Sequence, residues 1–137
     1  SLGSASAVAL ADYSTLSEAE LYKSAFDLLN QKQFDSSVSA FQSYLNLYPK
    51  GEFASNSHYW LGKVAMLKKD YTEAKDHFNK VIDIFPSSQK VADAQLDLGK
   101  IYFLTGDKQR AHVLLKELAL GNSEAARLAQ RFLSDNF

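Results

Sequence analysis

Two stretches of this chain echo each other: Phe34–Pro49 reads FDSSVSAFQSYLNLYP, and Tyr71–Pro86 reads YTEAKDHFNKVIDIFP. Phe34 stands to Tyr71, Phe41 to Phe78, Tyr48 to Phe85 and Pro49 to Pro86 at one offset of 37 residues. A further step of 37 leads from Asp70 to Asp107, Ala74 to Ala111 and Phe78 to Leu115. The intervening segments keep the same step, since Leu61-Gly62-Lys63 returns as Leu98-Gly99-Lys100 and Leu67 as Leu104. One register held across both halves of the unit marks three copies of a supersecondary building block, the third being the most degenerate.

Each copy reads as two helices. Ala74, Phe78, Val81, Ile82 and Phe85 fall at steps of three and four, which places them on one helical face. The helix before it carries Tyr59, Leu61, Val64, Met66 and Leu67 almost all round, so it needs neighbours on more than one side. Ser17-Glu18-Ala19-Glu20 has the form of a capping box at the start of the first helix. Asp70 and Asp107 stand where an N-cap belongs, with Gly106 in the preceding turn. Pro49 and Pro86 end the second helices, because a proline disfavours helical geometry in the residue before it. Helices are expected near residues 18–31, 35–48, 54–69, 72–85, 90–105 and 108–120, with a seventh near 123–135 capping the last repeat. No strand alternation is visible, and the fold class is all-α. The repeats run about 18–53, 54–90 and 91–122 within a domain of residues 17–137.

Composition narrows the function. The 137 residues are 46% hydrophobic and 23% charged, as in ordinary globular domains. A net charge of −1 gives no phosphate-tracking surface, so nucleic acid is not an expected partner. Without cysteine there is no thiol nucleophile, disulfide or Cys-ligated zinc. No apolar run reaches the roughly 18–20 residues of a membrane span. Residues 1–16, small and uncharged up to Ala11, read as a linker, native or added, without the basic start of a signal peptide.

A two-helix unit with a small residue mid-way along its first helix, Ala then Phe in its second, and a closing Pro resembles the tetratricopeptide repeat (TPR). Gly62 and Gly99 match its first small site, with Ala25 in unit one; Ala74 and Ala111 match the second, with Ser37 in unit one. Phe41, Phe78 and Leu115 match the bulky site, and Pro49 and Pro86 the terminal proline. Leu21, His58 and Gln95 replace the usual Trp, and the 37-residue period exceeds the family's usual 34 through longer linkers at KGEFAS and SSQKVA. The resemblance implies a right-handed solenoid of three repeats plus a C-terminal cap. The strings YPKG (48–51), HYWLG (58–62), FPSS (85–88), KVADA (90–94) and AARLAQ (125–130) resemble the periplasmic TPR proteins of the bacterial Tol–Pal system. What that resemblance implies is a non-catalytic module acting in the periplasm during cell division, coordinating outer-membrane constriction with septal peptidoglycan synthesis. Its implied partners are the Tol energy-transducing protein and a peptidoglycan synthase, and the intact protein would be trimeric through an N-terminal coiled coil. Outer-membrane assembly lipoproteins with related long-period repeats are the alternative. Gly121-Asn122-Ser123 departs from the aromatic-Pro-Gly-Ser turn expected there.

A TPR array offers its first helices to a concave groove. By resemblance the groove positions are Ala19, Tyr22, Phe26 and Leu29; then Asn56, Tyr59, Lys63 and Met66; then Asp93, Leu96, Lys100 and Phe103. Steps of three and four keep each set on one helical face. Apolar and aromatic groups with a few charges suit an amphipathic helix or extended peptide. The alternative is that Tyr22, Phe26 and Met66 simply fill the interior. Trp60 reads as packing against the preceding second helix rather than as an interface anchor. His58 reads as a half-buried spacer, and His77 and His112 do not align at the repeat offset, so no metal or cofactor is expected. Asp70 and Glu73 read as helix-start carboxylates rather than an acid/base pair. No catalytic residue is expected.

Overall fold

The computed structural model describes Tyr13 and residues 15–137. Among them the chain forms seven helices and no strand: α1 (Glu18–Asn30), α2 (Phe34–Leu47), α3 (Ala54–Leu67), α4 (Tyr71–Ile84), α5 (Val91–Leu104), α6 (Lys108–Ala119) and α7 (Glu124–Asn136). Each boundary lies within two residues of its sequence expectation. Helices α1/α2, α3/α4 and α5/α6 are the three hairpins, each second helix also packs on the next first helix, and α7 lies against both α5 and α6. The result is an all-α solenoid of three stacked helix hairpins closed by a seventh helix. The linker reading of residues 1–12 and 14 lies outside the described residues; Tyr13 and Leu16 are described, and both pack on the core of repeat one.

Local signals set the helix ends. Ser17 Oγ accepts from Glu20 N at 3.1 Å while Glu20 Oε1 accepts from Ser17 N at 2.9 Å, completing the capping box. Asp70 and Asp107 each accept from the backbone N–H three residues on, at 3.3 Å, and Ser123 does the same for α7 at 3.0 Å. The turn between the helices of a hairpin needs one left-handed residue. Lys32 (φ 61°), Lys69 (φ 62°) and Gly106 (φ 93°) supply it at successive steps of 37. Behind each, a paired hydrogen bond closes the helix, as with Asp70 N to Ala65 O and Lys69 N to Met66 O.

The hairpins close through the small sites. A Cβ on Gly62 would stand 2.7 Å from the Phe78 ring, and one on Gly99 would stand 2.5 Å from Leu115. Small and bulky positions of the repeat are therefore partners across the hairpin. In repeat one Ala25 meets Phe41 in the same core cluster. Ser37, fully buried at the second small site, donates its hydroxyl to Ala25 O at 2.9 Å, so the extra polar atom is satisfied where Ala74 and Ala111 carry none. Phe41, Phe78, Val81, Ile101 and Leu115 are fully buried and form the spine of the array.

Candidate partner-binding groove

Tyr22 and Tyr59 occupy the same position of successive repeats, and so do Trp60 and Asp97. The fold joins these pairs across each repeat boundary. Trp60 Nε1 donates to Tyr22 Oη at 3.0 Å, and Tyr59 Oη donates to Asp97 Oδ2 at 3.1 Å. One position in the architecture is thus bridged twice with the donor on opposite sides. Asp97 is almost fully buried and completes its shell with Lys63 Nζ at 3.2 Å. Burial, with the Asp97 and Asp93 carboxylates beside it, pushes the Tyr59 hydroxyl well above the usual tyrosine range. The phenol stays protonated and remains the donor. Sequence reasoning did not single out Asp97; its alignment with Trp60, beside a Tyr one repeat earlier, was the available signal.

Around these bridges the expected groove face is largely aromatic. Tyr22 stacks on Phe53 at 4.5 Å between ring centroids, and Phe26 meets Trp60 at 5.4 Å. Trp60 packs on the core of repeat one, against the cluster of Ala25, Ala40 and Phe41 that includes the preceding second helix α2, and it also meets Phe26 and Tyr22 of α1. Lys90 places its ammonium 5.0 Å from the Tyr59 ring centre and 4.9 Å from that of Trp60. Asn56 reaches the Tyr22 hydroxyl only at 3.5 Å.

The expected groove residues divide by burial. Leu96 is 5% exposed and lies in the core with Leu115, Ala125 and Ala129, while Tyr59 is 8% exposed. Phe103 is partly covered by the last helix, meeting Phe132 at 5.4 Å and Phe137 at 5.5 Å edge-on. Tyr22, Phe26, Leu29, Asn56, Lys63, Met66, Asp93 and Lys100 remain partly exposed, and Ala19 is exposed. Lys63, Met66, Leu67, Lys69, Tyr71 and Leu104 line an apolar niche of about 320 Å³ beside this face. Leu67 and Leu104, equivalent in adjacent repeats, are more than half exposed there. A second cleft of about 460 Å³ opens between the long linkers, lined by residues including Lys50, Phe53, Phe85 and Ser88. The extra residues of the 37-residue period therefore shape a surface of their own.

His58 on α3 and His77 on α4 meet across the hairpin, Nδ1 to Nδ1 at 3.2 Å. No group of three or more metal-ligating side chains gathers among the described residues. No helix among them is long and apolar enough to cross a membrane.

With short antiparallel hairpins stacked in register around paired small and bulky sites, the chain belongs to the tetratricopeptide repeat family, whose profiles match residues 21–51 and 53–119. Within that family it is CpoB-like: over 49 residues it is 47% identical to the cell division coordinator CpoB of two Pseudomonas putida sequences. The similarity spans 36% of this chain and 18% of those proteins. TPR domains are protein-interaction scaffolds, and this chain is such a module.

Proposed function

We propose that the chain is a non-catalytic adaptor of a periplasmic Tol–Pal-associated protein that coordinates outer-membrane constriction with septal peptidoglycan synthesis. The observation carrying this reading is the similarity to a cell division coordinator, on an array whose inner face keeps exposed contact groups in all three repeats. The partners that follow are the Tol energy-transducing protein and a peptidoglycan synthase, engaged through an extended or amphipathic segment laid across α1, α3 and α5.

The contact set centres on Phe26, Asn56, Met66, Asp93 and Lys100. Tyr59 and Leu96 support it from beneath. Lys63 is held by Asp97, which leaves Lys90 and Lys100 without an ion pair among the described residues. Burial makes Tyr59 a poor probe of binding, since its loss removes the Asp97 bridge. Asn56→Ala combined with Lys100→Glu alters the exposed face and leaves both bridges intact. Photo-crosslinking in intact cells from a reactive residue at position 66 should capture the partner, and the double variant should cut that yield several-fold at unchanged thermal stability. Capture at full yield would move the interface off the groove.

A further inference from the structure

His58 and His77 are separated by 19 positions, sit on the two helices of the central hairpin and do not share a repeat position. Their Nδ1 atoms are nevertheless 3.2 Å apart, with ring centres at 5.5 Å. At that separation one ring must donate and the other accept, which requires at least one neutral imidazole. This is the side-chain hydrogen bond that joins α3 to α4 among the described residues. It lies against a cavity of about 300 Å³ at the seam between repeats one and two, lined by Leu45, Pro49, Lys50, His58, Lys80, Ile84 and Phe85. Phe85 covers His58 at 6.1 Å.

The charged groups around the pair are few and known. On α4, Glu73 Oε1 lies 3.8 Å from His77 Nε2, Asp76 attracts both rings' protons, and Lys80 repels them. From the linker after α2, Lys50 lines the same cavity, its ammonium over the Phe85 ring. α3 itself brings no carboxylate, because its sequence ASNSHYWLGKVAML contains neither Asp nor Glu. A first proton on the pair can be shared along the Nδ1···Nδ1 line. A second leaves two imidazolium N–H groups facing each other beside Lys50 and Lys80.

We propose that His58 and His77 form an acid-labile latch, closing the central hairpin when they share a hydrogen bond and loosening that same hairpin when both are protonated. Burial and the neighbouring cations hold both rings below the usual histidine range, with His58 at about 4. Their folded-state affinity for protons is lower than in the unfolded chain. The contribution is therefore complete above the ordinary value of 6.5 and is lost as pH falls toward about 4. Repeat three supplies a control that the fold already tolerates, since the positions equivalent to His58 and His77 hold Gln95 and Leu114.

The test has two parts. NMR titration of the wild-type chain should show the His58 and His77 ring protons titrating well below the ordinary histidine value of 6.5, with amides of α3 and α4 shifting in step. Denaturant unfolding of the wild type against His58→Gln/His77→Leu should show the wild type losing on the order of tenfold more of its folding equilibrium constant between pH 7 and pH 5. His58 and His77 titrating at the ordinary histidine value, or equal pH dependence of the two chains, would overturn the latch. The titration decides the matter even if the double variant folds poorly.

Discussion

At position 62 only a hydrogen fits between α3 and the ring of Phe78, whose nearest atom would lie 2.7 Å from an added Cβ. Replacing Gly62 with Leu forces that ring or the helix axis aside, and overpacking of this kind costs about 1–3 kcal/mol. Urea unfolding should show the midpoint falling with an unchanged slope. The Asp97 bridge makes a second residue-scale prediction. Asp97→Ala leaves the Tyr59 hydroxyl buried without its acceptor and frees Lys63, at a cost of about 1–3 kcal/mol. Lys63→Ala should cost less, because the lysine side chain is 40% exposed and its attraction is screened. Thermal melts of the two variants should rank in that order. Gly62 and its bulky partner were legible in the sequence because the repeat prints them three times. Asp97 was not, because the residues sharing its position, Lys23 and Trp60, differ from it chemically even though Trp60 makes the same bridge.

For single elements, termini and turns carry the information. Asp70 and Asp107 cap α4 and α6 with rather long 3.3 Å bonds, so Asp70→Ala should lose about 0.5–1 kcal/mol, the low end of capping effects. Lys69 holds a left-handed turn that Gly106 holds one repeat later without a Cβ penalty. Lys69→Gly should therefore be close to neutral or slightly stabilising, a result most replacements of a side chain by hydrogen would not give. Chemical denaturation of this pair separates cap from turn. Helix limits were readable to within two residues from caps, prolines and periodicity, all of which act through the local backbone. That Trp60 would meet α1 as well as α2 was not readable, because α3 is apolar on most of its circumference and either neighbour could have received it.

In the whole molecule the array is only as stable as its covered ends. Helix α7 closes the last hairpin with Ala125, Ala126 and Ala129 buried against it, and Phe132 shields Phe103. Truncation before Ser123 would expose Leu96 and Leu115, now 5% and 0% exposed. Nearest-neighbour stacking makes such a loss local first and cooperative later. Hydrogen exchange on the truncated chain should show α5 and α6 losing protection before α1 and α2, with self-association at higher concentration. Uniform loss across all helices would show instead that the array folds as one indivisible unit.

By itself the sequence determined the repeat, its period, the hairpin limits and the glycines that let the hairpins close. These follow from short-range sterics and from apolar spacing, which every copy of the unit restates. Tertiary structure alone decided which of the expected groove side chains remain exposed. Tyr59 and Leu96 share the spacing of Tyr22 but differ in exposure, because the packing of the following helices determines what remains uncovered. It also brought His58 to His77 and Tyr59 to Asp97. Both contacts join residues far apart in sequence through the crossing of helices, a geometry that no local pattern records.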